Sequence, residues 1–190
     1  MEEAVVLVTG ATKNSGFAIA ERFAKEGYRV CVTSRRPDDA ARAAAEISEA
    51  YGVQAKGYGL DLESVEDIRR VFADVKETFG RLDVFVGNSA NLGLGASATE
   101  ITQEQFDSVM NVNTRGNFFC SQEAAKMMIP QGGGAIVLIG SVHYRGAISG
   151  RIAYAVSKGA VASMVHNLAY ELGQYHIRVN QVVPGAIRTD

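Results

Sequence analysis

The sequence is poor in cysteine: Cys31 falls in a β-like run and Cys120 in a helical stretch, and there is no third. Two thiols so placed make neither a disulfide framework nor a zinc site, and both read as buried thiols of a reducing cytoplasm, so no metal is expected. Blocks of like charge are also missing, with a formal net charge of −2 and a pI near 6.0. The chain therefore lacks the electrostatic footprint of a nucleic-acid or anionic-membrane binder, and neither partner is expected. No apolar run is long enough to span a bilayer. The acidic Met1-Glu2-Glu3 leads straight into a short strand, without the basic segment and cleavage site of a signal peptide. Linkers, repeats and low-complexity tracts are absent too, and "QGGGA" at 131–135 is a loop of glycine-driven turns. What is present is a 190-residue chain, 47% hydrophobic with a mean hydropathy of +0.01. That suffices for one globular domain, residues 1–190, with a substantial core.

Short runs rich in Val, Ile and Leu alternate with longer stretches of helical period, the grammar of βαβ units. Strands are expected at 4–9, 29–34, 53–58, 82–87, 135–140 and 177–182, with helices at about 15–26, 38–51, 64–79, 102–128 and 151–173. Right-handed crossovers place helices on both faces of one sheet. Continuously apolar strands such as "AVVLV" and "AIVLIG" fit burial on both sides. The fold class is thus α/β, a doubly wound, Rossmann-like parallel sheet of six strands.

Ligands on such a sheet bind outside the carboxyl ends of the strands. After the first strand comes "TGATKNSG", in which Gly10 and Gly16 frame a turn that lets backbone N–H groups at a helix start meet a pyrophosphate. A glycine-rich turn without a ligand is an equal reading of this stretch alone. Asn14 stands where a middle glycine is expected, and asparagine enters the left-handed region more easily than other side chains, so the turn can keep its shape.

In "SVHYRGAISGRIAYAVSKGAV", Tyr154 and Lys158 stand one helical turn apart on one face. Ser141 lies at the exit of the fifth strand, facing the same crevice. A phenol titrates near 10 in water, and a neighbouring ammonium favours its phenolate, which makes an acid/base of it. Singly, Ser141 reads equally as a turn hydroxyl, Tyr154 as a core aromatic and Lys158 as a solvated charge.

These residues resemble the classical short-chain dehydrogenases/reductases over the span 4–190. The matches fall in order: Thr9, Gly10 and Gly16; Asp61 of "LDLES"; Asn113 of "FDSVMNVNTRGNFF"; Ser141 of "GSV"; the Tyr154-x-x-x-Lys158 pair; and "PGAIRT". The resemblance implies hydride transfer between a nicotinamide and a carbonyl or secondary alcohol, such as a 3-oxoacyl, keto-sugar or similar ketone substrate. It implies that Tyr154 exchanges the proton, Ser141 hydrogen-bonds the substrate oxygen, Lys158 acidifies the tyrosine and holds the nicotinamide ribose, and Asn113 anchors a water linking Lys158 to solvent. By the same resemblance Gly10, Thr12, Lys13, Asn14, Ser15 and Gly16 cradle the phosphates. Asp61 and Leu62 bound the adenine pocket, Asn88, Ser89 and Ala90 approach the adenosine, and Pro184, Gly185, Ile187 and Thr189 border the carboxamide. A departure is "GNSA" at 87–90 in place of the family's Asn-Asn-Ala-Gly, from which weaker bracing between strands or a shifted adenosine is expected. Corresponding helices of the family pair across dimer interfaces, and "RIAYAVSKGAVASMVHNLAYEL", apolar nearly all round, implies a homodimer or homotetramer.

At the end of the second strand, where an NAD enzyme places an acid on the ribose, stand Ser34, Arg35 and Arg36, with no carboxylate before Asp38. Guanidinium groups suit a 2′-phosphate, and Lys13 adds a point charge, so NADP(H) is expected over NAD(H), with Arg35 the direct contact. One of the two arginines reads equally as a solvated surface charge. His143, Tyr144, Arg145 and residues 92–94 are expected to line the substrate pocket, with Arg145 able to meet a charged substrate. Two other readings are a lyase or dehalogenase, expected to replace Lys158, and a non-catalytic NADPH-binding module or inactive fragment. Family members continue beyond "VVPGAIRTD" with a substrate lid, a helix and a seventh strand, so the chain is expected to be a fragment whose sixth strand is an open edge.

Overall fold

Four fully buried residues in a row, Val5–Val8, form strand β1, and their alternation divides the core in two. Val5 and Leu7 point to one face of the sheet, into a cluster with Ile68, Phe72, Phe85, Ile136 and Val161. Val6 and Val8 point to the other, among Ala20, Ala24, Val32 and Ile47. A strand buried on both faces cannot afford a polar side chain on either, hence the uninterrupted run. Full burial of each Val or Leu contributes roughly 1.5–3 kcal/mol relative to exposure.

The computed structural model describes residues 4–93 and 95–187. In it β1 is followed by helix α1 (Asn14–Lys25), β2 (Arg29–Ser34), α2 (Pro37–Tyr51), β3 (Ala55–Gly59), α3 (Val65–Phe79) and β4 (Val84–Gly87). Then come α4 (Gln103–Met110), α5 (Asn117–Met128), β5 (Gly134–Ile139), α6 (Ile152–Leu172) and β6 (Ile177–Val182). The six strands are ordered β3-β2-β1-β4-β5-β6, and every pairing is parallel. The chain winds outward from β1 to β3, returns to β4 beside β1, and winds outward again. The crevice at the carboxyl ends of β1 and β4 is the switch point at which such sheets take ligands.

Local signals set the helix ends. Ser64 accepts a hydrogen bond from Asp67 N at the start of α3, Thr102 and Gln105 close a capping box on α4, and Pro37 opens α2. Three expectations from the sequence shift, the fourth strand beginning at Val84 rather than Leu82. The third strand begins two residues later than expected, because α2 runs to Tyr51 and Ser48 Oγ then accepts from Ala55 N at 3.0 Å. The single helix expected at 102–128 is interrupted by a π-helical turn, Asn111–Gly116. That turn holds an asparagine whose amide is committed outside its own helix, as the site shows.

Candidate active site

The turn after β1 is built for close approach. Gly10 has φ 61 and Asn14 φ 50, so Asn14 takes the left-handed conformation expected of it. Gly16 opens the first turn of α1 under the Gly10 carbonyl oxygen and 2.6 Å from Asn88 Nδ2 for any added Cβ, so no side chain fits there. The α1 N-terminus carries no acidic residue in its first turn and no side-chain cap, leaving its N–H groups free for an anion.

The exit of β4 is tied to this turn. Thr9 Oγ1 accepts from Asn88 N at 2.9 Å and Ser89 N at 3.0 Å, while Asn88 Nδ2 donates to Thr9 O at 3.0 Å and Gly10 O at 3.2 Å. The bracing expected to weaken at "GNSA" is thus carried by Asn88. Gly87 leaves the room that the Asn117 side chain fills.

At the end of β2 the two arginines part company. Arg36 Nε pairs with Asp39 Oδ2 at 2.5 Å on an 82% exposed side chain, and it does not line the cavity. Arg35 lines it together with Lys13 and Ser34, and among the described residues its guanidinium has no ion-pair partner.

Asn113 is fully buried at the centre of the π-turn. Its Oδ1 accepts from Asn91 N at 2.7 Å, and its Nδ2 donates to Asn91 O at 2.8 Å and Ser157 Oγ at 2.9 Å. Ser157 Oγ in turn donates to Tyr154 O at 2.7 Å. Both amide protons are therefore spent on protein acceptors, and the side chain clamps the loop after β4 to the face of α6 that carries Tyr154. The Asn113 carbonyl accepts from Asn117 Nδ2 at 2.8 Å, which leaves the water-anchoring role implied by resemblance to that carbonyl's second lone pair.

On α6, Lys158 is 2% exposed, and its Nζ donates to Ile139 O at 2.7 Å and lies 5.5 Å from the Tyr154 ring centroid. Burial disfavours its ammonium and lowers its pKa from 10.5 to about 8. Ser141 is 6% exposed, and its Oγ accepts from His143 N at 3.2 Å, so its O–H proton is left to donate elsewhere. The His143 ring meets Tyr154 edge-on, centroids 6.2 Å apart.

One cavity of about 1000 Å³ gathers these groups. It is lined by Gly10, Thr12, Lys13, Asn14, Ser15 and Gly16 at the turn, by Ser34 and Arg35, and by Asp61, Leu62, Asn88, Ser89 and Ala90. Ser141, Tyr154, Lys158, Pro184, Gly185 and Ile187 complete it. Of the residues expected at the site, Arg36 turns to Asp39, Asn113 acts from behind the wall, and Thr189 lies outside the described residues. Leu92 and His143 line the cavity; Tyr144 does not, nor does Arg145, which stacks over the Tyr144 ring at 5.0 Å; Leu94 is outside the described residues. Asn91, Ser157 and Arg151 were not expected. The serine beside Lys158, on a buried helical face, is the one signal that could have drawn attention to Ser157.

Among the described residues no cluster of His, Cys, Asp or Glu could hold a metal ion, and no helix is long and apolar enough to cross a membrane.

Residues 4–190 match the pattern of the family described as short chain dehydrogenase. The short-chain reductase protein NovJ of Streptomyces niveus is 37% identical over 188 residues, covering 99% of this chain and 71% of that protein. The crystal structure of an NAD+-bound xylitol dehydrogenase superposes with a TM-score of 0.94 at 31% identity, covering 98% of this chain and 72% of that one. A metagenomic short-chain oxidoreductase in complex with NADP superposes with a TM-score of 0.91 at 29% identity, covering 97% and 83%. The chain belongs to the short-chain dehydrogenase family, a family of oxidoreductases with a Rossmann-like fold.

Proposed function

We propose that the chain is an NADP(H)-dependent oxidoreductase that moves a hydride between nicotinamide and a carbonyl or secondary alcohol, with Tyr154 as the acid/base. The observation that carries this reading is the single cavity that joins the Gly10–Gly16 cradle to Ser141, Tyr154 and a buried Lys158. The cradle fits a dinucleotide, since Gly16 keeps its floor free of any Cβ and the α1 N-terminus faces it uncapped. Arg35 and Lys13 both line the cavity, and a guanidinium with an ammonium beside it suits a 2′-phosphate, which supports NADP(H); the relatives include both an NAD+-bound and an NADP-bound protein. Bound nicotinamide supplies or accepts the hydride. Ser141 donates its free O–H to the substrate oxygen as charge develops there, Tyr154 gives or takes the proton, and Lys158 puts a cation beside the phenol.

The domain reading is one dinucleotide-binding unit over residues 1–190. Exposed apolar side chains along α5 and α6, namely Phe118 at 39%, Ile152 at 43%, Val156 at 45% and Tyr170 at 90%, support a homodimer or homotetramer. The free buried thiols Cys31 and Cys120 fit a cytoplasmic protein.

The test is NADPH oxidation followed by absorbance against a panel of ketones, keto-sugars and 3-oxoacyl thioesters, with Tyr154→Phe as control. Turnover that Tyr154→Phe abolishes while NADPH still binds is the expected result. Undiminished turnover in that variant would overturn the reading.

A further inference from the structure

The cavity is charged unevenly. Its two acids, Asp61 and Glu63, follow β3 at the far edge of the sheet, and Glu63 Oε1 already accepts from Ser108 Oγ at 2.9 Å. At the opposite end, around Tyr154, the lining holds His143 and Arg151 and no carboxylate. Arg151 is the residue before α6, and its backbone is fixed on both sides: its carbonyl accepts from Ala155 N at 2.9 Å, and it bridges to Ala96. Its guanidinium, by contrast, has neither an ion pair nor a hydrogen bond among the described residues. The first turn of α6 carries no acidic residue that could neutralise it.

The cavity sets what this cation faces. Arg151, the non-helical N-cap of α6, lines the same cavity as Tyr154 and Lys158, three and seven residues further on. Lys158 lies toward the sheet, Tyr154 at the reacting oxygen, and Arg151 one turn beyond. A guanidinium in the wall of this cavity, near the acid/base, can meet a charged group that the substrate carries beyond its carbonyl. His143 lines the same cavity with its ring edge-on to Tyr154, and an imidazole N–H is a hydrogen-bond donor.

Resting on the oxidoreductase reading above, we infer that the substrate is a short oxo acid, its carboxylate held by Arg151 with His143 alongside. In the reductive direction NADPH gives its hydride to the carbonyl carbon and becomes NADP+. Tyr154 gives the proton to the carbonyl oxygen, and the product is the hydroxy acid. Arg151 acts as a specificity residue through a fork-to-carboxylate contact that a neutral ketone cannot make.

The experiment compares a 3-oxo acid with its methyl ester at saturating NADPH, in the unmodified protein, Arg151→Gln and Arg151→Lys. A charge-assisted contact of ordinary strength predicts that Arg151→Gln lowers kcat/KM for the acid about 10- to 100-fold. The ester should change little, Arg151→Lys should retain part of the preference, and NADPH affinity should be the same in all three. Equal losses for acid and ester, or none for the acid, overturn the inference. Should the unmodified protein reduce neither compound but oxidise NADPH with a neutral ketone, the inference fails and the oxidoreductase reading stands; should it oxidise NADPH with no carbonyl compound, that reading fails, and calorimetric titration of the NADP+-loaded protein with 3-hydroxybutanoate decides the anion site separately. Saturable binding lost in Arg151→Gln supports it, and no saturable binding overturns it.

Discussion

Replacing Lys158 by methionine should inactivate the protein while changing its stability by an amount that depends on pH. Lys158 is 2% exposed, and its pKa falls from 10.5 to about 8 because burial penalises the charged form. A lysine whose pKa is lower folded than unfolded costs stability wherever the unfolded chain holds more protons. The cost is fully present below about pH 8 and fades as pH rises toward 10.5. The shift corresponds to about 3 kcal/mol at pH 7, against which stands the hydrogen bond to Ile139 O, worth roughly 1.5–3 kcal/mol for a charged donor. The net change at pH 7 is therefore small, but its pH dependence is not. Between pH 7 and pH 10 the unmodified protein should gain about 2 kcal/mol on Lys158→Met, or about 4–8 °C in relative Tm for a chain of this size. Thermal melts of both proteins across that range measure it. A Tm difference that stays constant from pH 7 to pH 10 would refute the argument that burial, rather than a compensating carboxylate, governs this ammonium.

Arg35→Asp should weaken NADPH binding by at least tenfold and leave NADH binding nearly unchanged or improved, because it replaces a phosphate partner by a repelling charge. Fluorescence titration with both cofactors checks this, and equal affinities of the unmodified protein for the two would contradict it. Val156→Asp, on the 45% exposed side chain of α6, should shift the protein toward monomer without unfolding it, as read by light scattering. An unmodified protein that is monomeric at micromolar concentration would remove the basis for that expectation.

The order of elements could be read from sequence because each strand of this sheet is short, apolar and followed by a turn signal. Val5–Val8 is legible since both faces of β1 are buried, and Asn14 could be trusted in the turn because its left-handed φ of 50 costs an asparagine little. The π-turn was not legible. One extra residue in a helical turn leaves the apolar period nearly intact, so 102–128 reads as one helix. The separation of Arg35 from Arg36 was half visible, because Asp39 stands at i+3 from Arg36 and on a helix start such pairs meet. Asn91 and Arg151 carried no local mark at all. Their place at the cavity comes from contacts between elements far apart in the chain, Asn91 with Asn113 and Arg151 with Ala96.

Those long-range contacts tie the two ends of the cavity together. The helix that begins at Gln103 touches the loop after β3 through Ser108 and Arg115, which bond Glu63 Oε1 at 2.9 Å and Glu63 O at 2.6 Å. Gly116 lets it settle on Leu62, since a Cβ there would come within 2.7 Å of Leu62 O. Between these anchors Asn113 reaches the other way, through Ser157 to the carbonyl of Tyr154. The π-turn provides the geometry: by widening one turn it aims Asn113 at α6 while Arg115 and Gly116 still face the loop after β3. A buried amide with both protons satisfied holds its position far better than a packed apolar side chain could, because each alternative orientation leaves a donor unpaired at a cost of about 1–3 kcal/mol. The distance between the loop after β3 and the Tyr154 phenol is thus set by one interrupted helix. An extended ligand that fills both ends meets a wall whose two halves cannot drift apart independently.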